Sequence, residues 1–411
     1  MKIVKFKYCD EFHCAGPKCL ETCCQQWSIF FSKRDYLNLK NARCSPELKK
    51  SIEKAFVRIK GASDSQLNYA EIKFDDRGYC PMLGDDGLCR IQKELGEKRI
   101  GFVCNIFPRR YSLVEDSAII LTLNITCSHV MELLIKHPEG LEIVEEEYAE
   151  NDKYVNRGVF SNYVIFKNWK GYPYFWILKN TAADILQNRR FSVGERLLIL
   201  GYYSKKSDEY IEEKNGEKIS SLSAAMLDNE MCRKIADSLK APQSDDSAGA
   251  KSIDIFFHMM NYLDKTNSCS PAIRQLFTKV KESLGIRVDD CDGNLDIVYN
   301  KEAYLKNREL FGKIEAERSY IFENLLVNQI LGDSPLYGLF RSYFVLVVSY
   351  NMIKICVPAL LPEEWDDGDL ALTLSRIAKM MINNKLADTE TVASFIKNDS
   401  FDLPHAAFLI S

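Results

Sequence analysis

The chain has 411 residues, of which 46% are hydrophobic and 27% are charged. This composition supports a sizeable folded core and excludes a disordered protein, and the length predicts two or three domains. The formal net charge of -4 supplies no global basic field, so the charge balance does not indicate nucleic-acid binding.

The N-terminal segment predicts the cellular compartment. The segment "MKIVKFKYCDEFHC" carries lysines but lacks the apolar region of a secretory signal. We therefore expect a cytoplasmic protein. Because the cytoplasm is reducing, its cysteines are not expected to form a disulfide scaffold.

Cysteines are concentrated at the start of the chain. Ten of the fourteen fall in the first third: Cys9, Cys14, Cys19, Cys23, Cys24, Cys44, Cys80, Cys89, Cys104 and Cys127. The other four, Cys232, Cys269, Cys291 and Cys356, are isolated. Small buried thiols scattered through a core would not be distributed in this way. The first third is therefore predicted to be a distinct, cysteine-rich domain.

Short helices and strands are predicted in this first third. Ser45 as N-cap and Pro46 at the first helical position begin a helix, whose apolar stripe continues to Ile59 before Gly61. The segment "YAEIKFDDRGYC" predicts a short strand that leads to Cys80. The segment "RYSLVEDSAIILTLNITC" predicts a hairpin that leads to Cys127, with residues 115–117 at its tip.

From about Glu139 onward the pattern is helical almost throughout. Segments such as "SVGERLLILGYY" and "NKEAYLKNRELFGKIEAERSYIFENLLVNQIL" carry apolar residues at helical spacing, and residues 241–251 have the composition of a linker. The apolar run 344–353 is far shorter than the ~20 residues that a spanning helix needs. It predicts a buried core helix and no membrane span.

These patterns predict a mainly α protein with a small α+β cysteine-rich N-terminal head and a helical body. The expected domains are a metal or iron–sulfur cluster domain over residues 1–138, a helical domain over 139–245 and a C-terminal helical domain over 252–411.

The clustered thiols are candidate metal ligands. Thiolates are soft ligands that suit zinc or iron–sulfur clusters. The spacing matches neither the paired C-x2-C motifs of zinc fingers nor the ferredoxin run. Cys19-x3-Cys23 begins the C-x3-C-x2-C spacing of radical enzymes that cleave S-adenosylmethionine, but the third position is Gln26, which excludes a standard site of that kind.

Four ordered segments then identify a family. They are "FHCAGPKCLETCCQQW", "CPMLGDDGLCRIQKELGEK", "CNIFPRR" and "LTLNITCSHV", all between Phe12 and Val130. Together they resemble the flagellin lysine-N-methylase (FliB) family, within the wider group of CxxCxxCC-type zinc- or iron-chelating proteins. Cys9 and Cys44 lie outside the shared pattern, and Ser32 stands where an aspartate is more usual.

The resemblance implies a protein lysine N-methyltransferase that takes its methyl group from S-adenosylmethionine and modifies surface lysines of flagellin. It also implies a [4Fe-4S] cluster, with zinc as the alternative. The ligands carried over by motif are Cys14, Cys19, Cys23, Cys24, Cys80, Cys89, Cys104 and Cys127. A cubane takes four cysteines, so some of these eight have another role; our first choice of four is Cys19, Cys24, Cys89 and Cys104.

Two classes of function remain open at this point. The first is the cluster-dependent methyltransferase. The second is a non-catalytic protein, in which zinc or a cluster folds the head and the helical body binds a protein partner. Four cysteines would satisfy a closed structural site, so a set of eight favours the enzyme.

The aromatic run in "NWKGYPYFWILKN" offers ring faces for a cationic sulfonium donor. Aromatic residues at this density are more often part of a helical core, because they dominate buried area. Core packing is therefore the preferred interpretation of this run.

Overall fold

The structure is a computed structural model that describes residues 2–25, 29–63, 68–114, 118–147, 169–240, 247–265, 271–291, 294–332, 338–383 and 402–410. The chain packs into two compact units. The head unit comprises His13–Arg109 and Cys127–His129, and the body unit comprises Met1–Phe12, Arg110–Thr126 and Val130–Ser411. These boundaries differ from the three predicted segments, and the division of the chain into those segments stays a prediction.

The elements are numbered in chain order over the described residues. The strands are β1 (Lys2–Phe6), β2 (Phe30–Phe31), β3 (Phe56–Arg58), β4 (Ala70–Ile72), β5 (Arg109–Val114), β6 (Ala118–Leu123), β7 (Ile143–Glu147), β8 (Arg287–Cys291) and β9 (Asn294–Val298). The helices of the first third are α1 (Lys33–Lys40), α2 (Pro46–Ala55), α3 (Arg90–Leu95), α4 (Phe102–Ile106) and α5 (Ser128–Ile135). The later helices are α6 (Phe175–Gln187), α7 (Val193–Glu212), α8 (Gly216–Ala225), α9 (Asn229–Leu239), α10 (Ser247–Lys265), α11 (Pro271–Leu284), α12 (Lys301–Gly332), α13 (Leu339–Leu360), α14 (Asp367–Asn383) and α15 (Leu403–Ile410).

In the head unit, helices α1 and α2 and the small sheet β2-β4-β3 surround one apolar core. The predicted start of α2 is confirmed, because the Ser45 side chain accepts a hydrogen bond from the Leu48 N–H over 3.2 Å. The predicted end is wrong: the helix stops at Ala55 instead of continuing through Ile59. Residues 56–58 pair with β4 as strand β3. The hydrogen bonds of this strand pairing satisfy the backbone N–H and C=O groups of residues 56–58. Tertiary pairing therefore outweighs the helical spacing of the apolar residues.

The body unit contains the sheet β5-β6-β1-β7. Strands β5 and β6 confirm the two arms of the predicted hairpin, whose tip at 115–117 lies outside the described residues. Strand β1 pairs in parallel with β6, with Ile3 opposite Ile119. All residues of β6 are buried, as expected for a strand covered on both faces. No local pattern predicts this pairing, because the two strands are distant in sequence.

Helices dominate the rest of the body, so the predicted class, mainly α with a small α+β head, is confirmed. Helix α7 begins with a capping box, in which Ser192 and Glu195 satisfy each other's backbone N–H groups. The predicted linker at 241–251 is partly wrong, because α10 already begins at Ser247. Its remaining residues, 241–246, lie outside the described part of the chain.

Helix α13 contains the apolar run 344–353 and is longer than that run suggested. It has 22 residues, and among the described residues it is the one helix long and apolar enough to cross a membrane. In the most apolar window of this helix, 72% is buried inside the protein, as in the core helix of a globular domain. The Asp208 carboxylate caps its start by accepting hydrogen bonds from the Leu339 and Phe340 N–H groups, each over 2.9 Å.

Candidate metal centre

Cys24 and Cys80 lie side by side although they are distant in sequence. The Cys80 N–H donates a hydrogen bond to the Cys24 carbonyl oxygen over 2.8 Å. The next residues outward, Gln25 and Tyr79, form an antiparallel bridge. The two segments therefore act as a short two-stranded clasp that brings their thiols together.

Three thiols share hydrogen bonds at this clasp. The pKa of the Cys24 thiol falls to about 3, because its sulfur takes part in hydrogen bonds with the Cys23 thiol and then the Cys80 thiol. The same contacts raise the pKa values of Cys23 and Cys80 well above the usual range, and burial adds to the shift of the buried Cys80. The two neighbouring thiols thus lower the pKa of Cys24 by stabilising its charged form.

Cys89 is held beside the clasp by the loop that follows Cys80. Leu83 and Cys89 form an isolated bridge, and the Arg90 N–H donates to the Met82 carbonyl over 2.8 Å. Cys89 is the N-cap residue of α3. Burial raises the pKa of its thiol, while the nearby first backbone N–H groups of α3 act in the opposite direction.

Cys104 and Cys127 complete the group of interacting thiols. Cys104, on α4, interacts electrostatically with Cys24 and Cys89. Cys127, immediately before α5, interacts electrostatically with Cys23. We call the thiols linked in this way the six-thiol network, which consists of Cys23, Cys24, Cys80, Cys89, Cys104 and Cys127.

The position of α4 depends on a close backbone approach. A Cβ atom added to Gly101 would lie only 2.1 Å from the Phe31 ring. Phe31 packs edge to face on Phe56 in the head core, with ring centroids 4.8 Å apart. Glycine at this position therefore lets the start of α4, and Cys104 with it, approach the core.

The other two predicted ligands have different surroundings. Cys14 is exposed. The Cys19 thiol lies 3.3 Å from both the Glu21 carbonyl oxygen and the Ser128 hydroxyl oxygen. Ser128 is a buried residue that sequence reasoning missed, although it directly follows Cys127. The network thus includes three of our four first-choice ligands, while Cys19 is held on Ser128.

The donor chemistry of this network suits a thiolate-bound metal or cluster, because soft sulfur ligands lie close to one another. As they are placed, the described residues contain no group of three or more histidine, cysteine, aspartate or glutamate side chains arranged to hold a metal ion. The predicted metal set of eight cysteines therefore stays a prediction, supported by the proximity of six of them.

The two remaining cysteines of the first third contact backbone carbonyl oxygens. Cys9 belongs to the body unit, where its buried thiol lies 3.9 Å from the Leu121 carbonyl oxygen. Cys44 lies in the head unit, with its thiol 3.9 Å from the Ala42 carbonyl oxygen. Both positions fit their absence from the shared sequence pattern.

The aromatic run after residue 168 serves packing in the body unit. Trp169 and Phe175 are buried, and Phe175 meets Trp176 edge to face at 5.2 Å. Added Cβ atoms on Gly171 and Gly216 would collide with Trp169 and Tyr174, respectively. The preference for a core role is confirmed for the buried pair.

Comparison with known proteins identifies the family. The profile described as "FliB lysine N-methylase C-terminal domain" matches residues 179–409, more than half of the chain. The chain belongs to the FliB lysine N-methylase family. The family inferred from the four cysteine-containing segments is thereby confirmed, and the match extends membership to the helical body.

Relatives span both the head and the body. Two proteins named lysine-N-methylase, from Salmonella choleraesuis (strain SC-B67) and Salmonella typhimurium (strain LT2), are each 23% identical over 388 residues. These alignments cover 88% of this chain and 87% of each relative. The flagellar biosynthetic protein FliU of Salmonella muenchen is 28% identical over 144 residues, which cover 34% of this chain and 80% of FliU. No solved structure matches the chain significantly. The names of the full-length relatives support a lysine methyltransferase.

Proposed function

We propose that this FliB-family protein is a cytoplasmic, S-adenosylmethionine-dependent methyltransferase that modifies surface lysines of flagellin, with a [4Fe-4S] cluster on thiols of the head unit. The observation that carries the proposal is the family match over the body, joined to full-length relatives named lysine-N-methylase. The name of FliU, a flagellar biosynthetic protein, supports a flagellar substrate.

The reaction sets clear chemical requirements. The lysine nitrogen attacks the methyl carbon of the sulfonium, a new N–C bond forms, and the S–C bond breaks to release S-adenosylhomocysteine. A lysine ammonium has no lone pair for this attack. It must first lose a proton to a base or to solvent, and burial or a neighbouring cation favours that loss by lowering its pKa.

The head unit supports the cluster part of the proposal. Its six-thiol network offers more than the four ligands of a cubane, and Cys24 already favours the thiolate form that binds iron. Candidate ligands come first from the hydrogen-bonded thiols of Cys23, Cys24 and Cys80. The thiols of Cys89 and Cys104, which interact electrostatically with Cys24, are further candidates. When bound, a cluster would add a redox centre whose potential depends on its hydrogen bonds and exposure.

Two measurements test the proposal. Iron and acid-labile sulfide should each be found at about four per chain in anaerobically purified protein, as one cubane requires. The same preparation should transfer labelled methyl groups from S-adenosylmethionine to flagellin, with N-methyllysine identified by mass spectrometry. Zinc without sulfide would overturn the cluster, and a metal-loaded protein that methylates no lysine of flagellin would overturn the substrate assignment.

A further inference from the structure

The body unit contains an open groove that neither the cysteine motifs nor the family comparison points to. It lies where α11 ends and the hairpin β8-β9 begins, and its volume is about 600 Å³. Lys281 and Glu282 line one wall, and Arg287, Tyr299 and Asn300 line the other. This volume is within the range of small-molecule sites.

The C-terminal end of α11, closed by backbone hydrogen bonds, lies at the groove. The Ile286 N–H donates to the Lys281 carbonyl over 2.9 Å, and the Gly285 N–H donates to the Glu282 carbonyl over 3.2 Å. These two bonds form a Schellman motif, in which Gly285 has the left-handed φ of +58°. A Cβ on this glycine would lie 3.2 Å from the Asn300 Cβ. The absence of a side chain therefore keeps the two walls close.

Both signs of charge face the groove. Lys281, Arg287 and Glu282 are exposed side chains on its lining. An arrangement with two cations and one carboxylate is complementary to a zwitterion that carries a carboxylate and a cationic centre.

An aromatic side chain completes the wall. Tyr299 is half-buried and meets Tyr304 edge to face, with ring centroids 5.6 Å apart. The pair packs against the backbone of α10, where a Cβ added to Gly249 would lie 2.9 Å from Tyr304 and 3.1 Å from the Tyr299 hydroxyl oxygen. Tyr299 is thus held in place and offers ring surface to a base or a sulfonium.

A neighbouring internal cavity is too small to compete for such a ligand. It lies between α11, α12 and α13 and is lined by residues that include Leu284, Tyr304 and Asn351. Its volume is about 20 Å³, which is room for about one water molecule. Of the two, the open groove of about 600 Å³ is the one large enough for a nucleoside-sized ligand.

We propose that the groove binds the methyl donor, S-adenosylmethionine. Arg287 and Lys281 bind its carboxylate, Glu282 faces its sulfonium, and Tyr299 packs against its nucleoside. This inference rests on the proposed methyltransferase function and assigns the donor to the body unit. It predicts that substitutions in the groove change the affinity for the donor without changing the metal content of the head unit.

Isothermal titration calorimetry with S-adenosylmethionine and S-adenosylhomocysteine tests the assignment on the full, anaerobically purified chain. Arg287→Glu should lower the affinity for both ligands by about tenfold or more, because a charge-assisted contact with the carboxylate becomes repulsive. Glu282→Lys should weaken S-adenosylmethionine more than S-adenosylhomocysteine, since only the former carries a sulfonium. Lys279→Glu, an exposed change on the same helix outside the groove lining, should bind both ligands like the unmodified protein.

The outcomes separate this inference from the proposed function. If the unmodified protein binds both ligands and the Arg287 and Glu282 variants bind them equally well, the groove assignment is overturned and the methyltransferase proposal stands. If the unmodified protein binds neither ligand while its metal content is complete, the proposed donor is overturned as well. Thermal unfolding of each variant verifies that a loss of affinity does not come from loss of fold.

Discussion

The Cys80 N–H and the Cys24 carbonyl oxygen, 2.8 Å apart, join two segments that are distant in sequence and bring their thiols together. The hydrogen bonds of the neighbouring thiols hold the pKa of Cys24 at about 3. A lowered thiol pKa favours the thiolate, which is the form of cysteine that binds metals. Cys24 is thus central to the six-thiol network.

Replacing Cys24 by Ser should remove most of the bound iron from anaerobically purified protein, because serine supplies a harder and far less acidic ligand. Cys44→Ser is the matched control, since Cys44 is also in the head unit and its thiol lies near the Ala42 carbonyl oxygen instead. Iron and sulfide per chain give the measurement. Full iron content in Cys24→Ser would contradict a central role for this thiol.

Glu323→Gln should destabilise the body unit by about 3–5 kcal/mol. The buried Glu323 carboxylate accepts hydrogen bonds from Arg196 Nη1 at 2.7 Å and from Arg189 Nε at 2.9 Å. Its loss leaves the buried Arg196 guanidinium without a counter-ion. The free energy of unfolding from urea titration is the measurement. Glu212→Gln, which removes an exposed pair with Lys170, should cost less than about 1 kcal/mol and serves as control.

Lys354 should make stability rise with pH in the alkaline range. Burial lowers its pKa to about 8 from an ordinary value of 10.5, the nearby Arg308 adds to the shift, and Glu315 opposes it. Between these two pH values the unfolded chain binds a proton that the folded chain has released, so stability increases as pH rises.

The test compares Lys354→Met with the unmodified protein across this window. The variant loses the hydrogen bond from Lys354 Nζ to the Ile410 carbonyl oxygen, which gives a constant offset below pH 8. Relative to the variant, the unmodified protein should gain about 1–3 kcal/mol by pH 10.5. A difference in unfolding free energy that is independent of pH would exclude the predicted shift.

Two helical glycines should respond in opposite ways to alanine. A Cβ on Gly201 in α7 would lie 2.6 Å from the Tyr343 hydroxyl oxygen, whereas a Cβ on Gly312 in α12 meets nothing within 4 Å. Gly201→Ala should therefore destabilise the body by about 1–3 kcal/mol through overpacking. Gly312→Ala should stabilise it by about 0.5–1 kcal/mol through helix propensity. Thermal unfolding of both variants is the measurement, and equal shifts in one direction would contradict the packing described.

Several local features could be predicted because they depend on neighbouring residues. Ser45 and Ser192 cap helices by accepting backbone hydrogen bonds from three positions ahead, so short sequence patterns reveal them. The mainly helical body follows from apolar spacing in the same way. The concentration of cysteines in the first third also needs no coordinates, since it is counted directly from the sequence.

Other features required the tertiary structure because they depend on contacts between distant segments. The early end of α2 follows from pairing of β3 with β4, and the parallel pairing of β1 with β6 joins strands that are far apart along the chain. The groove lined by Lys281 and Arg287 likewise exists only where a helix end meets a hairpin. Local propensity is a weak constraint when a sheet ladder or a packed core competes with it.

The sequence by itself determined that this protein carries an unusual set of clustered thiols and which family those motifs resemble. Only the tertiary structure decided which of the thiols meet, because adjacent cysteines such as Cys23 and Cys24 become part of one network through partners as distant in sequence as Cys80 and Cys127. Sulfur contacts are short-range, and spacing along the sequence does not encode distances across a fold.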